Sequence, residues 1–422
     1  VRLDQRLRLL RGQAAPASPT GGVAGDRPDR QPTEPPAGDR PALSQRLRRL
    51  STTTRRTPLR REPDESALAA ELGGQILQRG VLLAERRLSL SARQGRFAPA
   101  DCPRALPELA DGPAGTPETW RFLDTETSGL AGGTGTWAFL TGLAQIRGRT
   151  LVLRQYLLTR LDAESDYLAA VAAELEGAAL LVTFNGKTFD APLLDTRLRL
   201  AGMGQGIGAM PHLDLLHPLR RAFAGVWPDC RLVTAEQRLL GLRRDGDLPG
   251  SEAPAAWIGW MREGAKLPLA RVLQHNRSDL VSLPALATAL AWAHRDPGAA
   301  GADVRAVARH HVRRGEPAAA LALLARARPR LDTGGLLELA RLHRRYGQWE
   351  EALDIWEPLA EGGERAALEA LAKYLEHRVR DYGRALSLAR RLESGEARER
   401  RCRRLALKLQ GDERAVAGIR NR

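Results

Sequence analysis

The sequence predicts an α/β domain built on a mixed sheet, followed by an all-α tail and preceded by a disordered basic leader. Three observations carry this. Between Trp120 and about Ala293, apolar runs of strand length alternate with segments of helical spacing, the order expected of a mixed α/β layer. After Gly301 the spacing is helical throughout, and an Ala-Leu pair recurs at intervals of 32 and 33 residues. Before residue 63 large apolar residues are few, and Pro, Gly, Ala and Arg dominate from Gln13 to Pro41. At 422 residues the chain can bury a sizeable core and hold two or three folded units.

The leader (1–62) carries two short pieces, Leu3 to Leu10 and Leu43 to Leu50, that share an LxQRLRxL core. Each is long enough for two turns of basic amphipathic helix, a docking element on the sharper reading and a solvated tail on the plainer one. Residues 63–117 read as a helical segment and linker. Leu68, Leu72, Ile76 and Leu82 fall roughly in helical step over 64–90, and Pro99 to Pro117 is rich in Pro and Gly. The α/β unit (118–295) opens with strands at Trp120–Leu123, Trp137–Ile146 and Leu151–Leu158. The last two meet at Arg147-Gly148-Arg149, which reads as an antiparallel hairpin turn. Glu164–Leu175 has helical spacing, and Ala179–Phe184 is short enough for a buried strand. Helices are expected at Ala191–Leu200, Leu232–Leu240 and Pro268–Ala293. In the tail (301–422), the segment Gly315 to Leu321 recurs as Gly347 to Leu353 and more loosely as Asp381 to Leu386. That spacing is close to the tetratricopeptide (TPR) period of about 34 residues. The tail therefore resembles TPR hairpins, with Trp349 and Tyr382 between helices; a plain helical bundle is the alternative.

Lys and Arg total 65 against 50 Asp and Glu, a net charge of +15 and a pI near 10.8. The surplus sits in the flanks. The leader holds 14 arginines against six acids and the tail 26 basic residues against 18 acidic, while the stretch between holds 25 against 26. Such flanks suit a polyanion, nucleic acid before an anionic membrane surface. Cys102, Cys230 and Cys402 form no CxxC pair, which argues against a disulfide framework or a cysteine zinc site and for reduced thiols. No apolar run approaches the roughly 20 residues of a membrane helix. The first residues show no signal-peptide apolar core, so no membrane partner is expected and the expected address is cytoplasmic.

The chemistry lies in acids. Asp124 and Glu126, in FLDTETSGL, stand at i and i+2 on an extended segment and so point to one side of a sheet. Such a pair repels itself unless a cation neutralises it; alone, it is more often a solvated strand face. Asp190, in TFNGKTFD, stands where a strand gives way to a helix, and capping that helix is its plain role. His275 and Asp279 lie one turn apart on a helix face, an arrangement that by itself is a surface pair.

The order of these pieces is more specific than any one of them. A strand DxE, an N-x3-FD after a second strand and an H-x3-D on a late helix resemble the acidic signature of the DEDD 3′–5′ exonuclease superfamily. FLDTETSGLAGGTG, LVTFNGKTFDAPLLDTR, HLDLLHPLRR and HNRSDLVSL together resemble, more closely, the bacterial YprB-like family with a ribonuclease H-like exonuclease domain, over about residues 118–292. The resemblance implies a ribonuclease H-like mixed sheet with flanking helices. It also implies a metal-dependent hydrolase, a 3′–5′ exonuclease on single-stranded DNA or RNA. Asp124, Glu126, Asp190 and Asp279 would then hold two Mg²⁺ or Mn²⁺ ions, since cleaving a phosphodiester with two metals needs hard oxygen ligands. One ion would activate the attacking water and the other steady the leaving 3′-oxygen. His275 would orient or deprotonate the water. One departure bears on it: the superfamily places a His five residues before the last Asp or a Tyr four before, and here a His takes the four-residue spacing.

Asn185, Lys187 and Thr125 are expected substrate contacts; a self-stabilised turn and a solvated lysine are the plain readings of the first two. Asp214, in HLD, is expected beside the metal ligands or merely after a short strand. The stretch Gly132 to Thr136 lacks the GK[ST] ending of a phosphate loop and reads as a tight connection. Trp257 and Trp260 read as core before base-stacking. A scaffold is the competing class, with TPR-like helices recruiting a protein partner and an inactive nuclease domain clamping nucleic acid. The intact quartet of acids argues against it, and an endonuclease on the same fold stays open.

Overall fold

A computed structural model of the protein describes residues 62–129, 134–204 and 206–420. The readings made for the leader and for Gly132-Gly133 lie outside the described residues. Helix α1 (Glu65–Leu72) starts where the Asp64 carboxylate accepts from the Ala67 amide, and stops at Gly73, whose φ of +57° suits glycine. The helical reading of 64–90 is corrected here. After Gly73-Gly74 the chain forms a β-hairpin, β1 (Gln75–Gln78) and β2 (Val81–Ser89). The apolar residues in helical step were outweighed by two glycines and by an unbroken register of β2 on a later strand, from Val81↔Leu158 to Ser89↔Thr150. The stretch read as a linker also holds a helix, α2 (Cys102–Leu109), with Cys102 and Leu106 wholly buried.

Five more strands follow: β3 (Trp120–Thr127), β4 (Ala138–Arg147), β5 (Thr150–Leu158), β6 (Leu180–Thr183) and β7 (His212–Asp214). The sheet order is β1-β2-β5-β4-β3-β6-β7, with β3, β6 and β7 parallel and the other pairs antiparallel. Strand β3 runs four residues beyond its expected end because it stays paired with β4 as far as Thr127↔Ala138, which puts Asp124 and Glu126 on the strand itself. Helices α3 (Glu164–Leu175), α4 (Asp190–Leu200), α5 (Leu216–Phe223), α6 (Leu232–Ala235), α7 (Ala253–Glu263) and the 30-residue α8 (Lys266–Arg295) cover the two faces. The helix expected at 232–240 is one α turn running into a π turn, Glu236–Leu240.

Alternation along β3 feeds two cores. Trp120 and Phe122 face one, with Leu106 and Phe223; Leu123 faces the other, with Phe139, Tyr167 and Trp260. Helix α8 serves both, Leu269 and Val272 in the second core and Leu280 to Ala293 in the first. Trp257 and Trp260 are core residues, their indole N–H groups donating to the carbonyls of Leu158 and Thr159.

The tail is helical: α9 (Val304–Arg313), α10 (Pro317–Ala327), α11 (Thr333–Arg345), α12 (Trp349–Glu361), α13 (Arg365–Tyr374), α14 (Tyr382–Arg390) and α15 (Glu396–Arg420). Ala320, Ala352 and Ala385, the repeating alanines, are wholly buried at equivalent places in α10, α12 and α14. Trp349 packs on Tyr374 at 5.3 Å between ring centres, and Lys408 lies over the Tyr382 ring. The tail joins the sheet layer through Val307 and Leu323, which enter the first core, and through the Asp303 amide donating to the Ala222 carbonyl at 2.8 Å. Among the described residues no helix is long and apolar enough to cross a membrane.

Candidate active site

Three elements bring the acids together. Asp124 and Glu126 lie on one face of β3, as their two-residue spacing requires. Asp190 opens α4 but does not cap it. Its Oδ1 turns back to β3 and accepts from the Thr125 amide at 3.0 Å and the Thr125 hydroxyl at 2.5 Å. The hydroxyl of Thr125, expected to meet substrate, therefore holds a carboxylate in place. Asp279 comes from α8, and Asn276, one turn before it, donates to Asp124 Oδ2 at 2.8 Å and to the Asp124 carbonyl at 3.1 Å. Gln155 of β5 in turn donates to Asn276 Oδ1 at 2.8 Å, so a buried amide relay fixes Asp124. Gly142 makes this approach of α8 possible. It pairs with Asp124 across β4, and a Cβ there would stand 2.2 Å from Asn276 Oδ1.

Burial and mutual repulsion dominate the electrostatics. Asp124 is held well above the ordinary carboxylate range by burial first, then by Asp279, Asp190 and Glu126. Burial likewise pushes Glu126 up to about 8. It pushes Asp190 to about 6, even against the Thr125 hydrogen bonds that lower it. At Asp279 burial again raises the pKa, overcoming the nearby Arg244 and His275.

Asp247 and Arg244, which no motif announced, complete the cluster, the first through His275. His275 Nδ1 lies 2.9 Å from Asp247 Oδ2, and its Nε2 lies 3.8 Å from Asp279 Oδ2. A carboxylate only accepts, so Nδ1 carries a proton toward Asp247, and Nε2 faces Asp279. Burial would lower the His275 pKa, but Asp279 and the Asp247 hydrogen bond outweigh it, and the value stands above the ordinary one. Arg244 is the second. Its partly buried guanidinium pairs with Asp279 Oδ1 at 2.5 Å, Glu236 at 2.5 Å and Asp247 at 3.0 Å.

The carboxylates Asp124, Glu126 and Asp190 line a cavity of about 650 Å³, with Asn185, Phe184 and Phe189 on its walls. Asn185 sits in the left-handed region, φ +67°, a conformation asparagine tolerates better than most residues. Asp214 fixes that turn. Its Oδ1 accepts from the Asn185 amide at 2.7 Å and its Oδ2 from the Lys187 amide at 3.1 Å. The Lys187 side chain lines a neighbouring cavity and not this one.

Residues 121–323 match the RNase H superfamily. The uncharacterized protein YprB of Bacillus subtilis (strain 168) is 31% identical over 281 residues, spanning 64% of this chain and 67% of that protein. The chain belongs to the YprB family. Its RNase H domain places this YprB-family chain among proteins that are typically nucleases, act on nucleic acids and generally use divalent metal ions.

The donor set in this YprB-family member fits such an ion. Four carboxylates offer hard oxygens, and two of them, Asp124 and Glu126, are pushed up partly by the charge of the others, which a cation would relieve. Among the described residues no three His, Cys, Asp or Glu groups yet stand close enough to hold an ion as they are. Arg244 supplies a reason. Asp279 Oδ1 is buried and faces the guanidinium, without a well-angled hydrogen bond.

Proposed function

We propose that this chain is a metal-dependent 3′–5′ exonuclease that hydrolyses the phosphodiester bonds of single-stranded DNA or RNA. The observation that carries this is the quartet Asp124, Glu126, Asp190 and Asp279 from β3, α4 and α8, three of them lining one cavity and Asp279 charge-coupled to Asp124 and Glu126 beside it. A pair of divalent ions, Mg²⁺ or Mn²⁺, would lower the pKa of a water and stabilise the leaving 3′-oxygen. The chain's own residues do the rest. Asn276 and Thr125 hold Asp124 and Asp190 in register, while Arg244 yields Asp279. His275, steadied by Asp247, takes the water's proton at Nε2. Asn185 faces the strand end from the cavity wall, and Asp214 acts as the positioning residue for that turn. The tail is read as a TPR-like array for a protein partner, and a cytoplasmic setting fits the reduced cysteines.

The test uses single strands of DNA and of RNA labelled at the 3′ or 5′ end, with Mg²⁺, Mn²⁺ or EDTA. A 5′ label should give a descending ladder with metal and none with EDTA. Asp124→Ala should lower the rate by at least about 100-fold, the scale lost with a main electrostatic element of a site. Cleavage that starts internally would make the enzyme an endonuclease. No cleavage of any strand with either metal would leave the scaffold reading.

A further inference from the structure

A cavity of about 480 Å³ lies at the seam between the sheet layer and the first tail helices. Four guanidiniums, of Arg221, Arg295, Arg314 and Arg326, face only two carboxylates across it, Glu108 and Glu316. Three of the cations are committed. Arg314 pairs with Glu316 at 3.2 Å, Arg295 with Glu108 at 3.4 Å and Arg326 with Asp296 at 3.7 Å. Arg221 of α5 is half-buried, and among the described residues nothing hydrogen-bonds or ion-pairs with its guanidinium. Beside it His310 is only 8% exposed, and among the described residues its ring nitrogens have no hydrogen-bond partner. Its neighbour His294 spends Nε2 on the Pro218 carbonyl at 3.1 Å. Burial keeps both imidazoles neutral near pH 7, so His310 has one N–H to offer. Leu109, Ala319, Ala322 and Leu323 give the lining its apolar part.

The seam cavity has a neighbour on the side of β7. This second cavity, of about 280 Å³, shares Leu109 and Arg221 with it and reaches Lys187 and Asp214, in and against the turn that carries Asn185. Lys187 is thereby a cation of the adjoining cavity. Fifteen residues of α8 separate Asp279 from His294, about 22 Å at 1.5 Å per residue, so the seam is remote from the carboxylates themselves.

We propose that the seam cavity is a nucleotide-phosphate site, Arg221 gripping the phosphate oxygens, His310 donating to one of them, Arg314 adding positive charge from its place beside Glu316, and the apolar residues Leu109 and Leu323 receiving the base. An unpaired guanidinium suits phosphate by its planar fork of donors. The phosphate belongs to a nucleic-acid strand running past Lys187 or to a free nucleoside monophosphate, and the chemistry of the cavity is the same for both. The strand source rests on nucleic acid being the substrate. Binding without divalent metal separates this proposal from cleavage, because it requires no turnover.

The test is titration calorimetry on the full chain in EDTA at low salt, where the acidic cluster repels anions. The probes are inorganic phosphate, adenosine 5′-monophosphate and a short 5′-phosphorylated single strand. Arg221→Gln should weaken the nucleotide-bearing probe about tenfold or more, the equivalent of 1.4 kcal/mol. Arg314→Gln serves as a second variant if the first does not fold. Binding of the strand but not of the monophosphate assigns the site to a strand; equal binding of both assigns it to free nucleotide. Inorganic phosphate binding as tightly as either would remove the nucleotide from the proposal. Unchanged affinities in the folded variants, or no binding of any probe, would overturn it.

Discussion

Asp190 shows how a residue with an ordinary explanation acquires a special one. At the first position of α4 it has every opportunity to satisfy helix amides, yet its oxygen is spent on Thr125 of a different element. Arg244 is the counterpart in charge. It lies partly buried beside Asp279, Glu236 and Asp247, and those acids hold its pKa above the ordinary arginine value despite desolvation. Removing it leaves three carboxylates without their cation. Arg244→Gln should therefore cost roughly 3–5 kcal/mol in EDTA, the usual penalty for breaking a buried ion pair from one side. Mg²⁺ should raise the Tm of the variant more than that of the wild type, because the ion then replaces the guanidinium at Asp279. Thermal denaturation of both proteins with and without Mg²⁺ measures this, and equal gains would refute competition for Asp279. At this scale the acids were legible because their types and intervals form a pattern. Arg244 and Asp247 were not, since they sit in a loop whose path no spacing rule predicts. Asn276 could have been found: it lies three residues before Asp279, on the same helix face.

Among the elements, the central strands and α3 were readable from apolar runs and helical spacing, while β1 and β2 were not. Their apolar positions fit a helix as well as a hairpin, and what decided between them was the distant partner β5. The same nonlocal logic governs Gly142, which in sequence is one glycine within a strand. In the fold it faces α8, where an added Cβ would meet Asn276 Oδ1 at 2.2 Å and Leu280 Cδ1 at 2.6 Å. Both contacts belong to the helix that delivers Asp279, so the clash has to push α8 away from β4 or turn Asn276 off Asp124. Gly142→Ala should be destabilised by roughly 1–3 kcal/mol, the usual cost of overpacking. Cleavage should fall by more than the loss of folded protein explains. Paired measurements of Tm and of rate per folded molecule would show it. A variant with a lowered Tm but a full rate would mean that α8 holds Asp279 without the close approach.

At the level of the whole molecule, charge is partitioned, with basic flanks around a middle near neutrality, and individual buried groups set how acid should take the fold apart. At the seam, burial holds His294 and His310 at about 4 against an ordinary 6.5, so the unfolded chain binds more protons as pH drops between those values. That stability is complete above pH 6.5 and is lost on the way down to about 4. At the far end of the tail Glu376, buried in the turn after α13, accepts from Arg404 and Lys408 of α15. The Arg404 hydrogen bond, opposed by burial and joined by Lys408, holds it at about 2 against an ordinary 4.5. Its contribution is complete above 4.5 and fades as pH falls toward 2. The two windows are offset, so the junction with the sheet layer should loosen before the α13–α15 clamp does. Calorimetric melts across pH 7 to 2 should show the Tm falling first in the histidine window, a fall that His294→Asn with His310→Asn reduces. Glu376→Gln should lower the Tm at neutral pH and leave a smaller further loss below pH 4.5. The carboxylate cluster works in the opposite sense, since its raised values let the folded chain take up protons first, so a pH dependence of the Tm unaltered by both substitutions would refute this assignment.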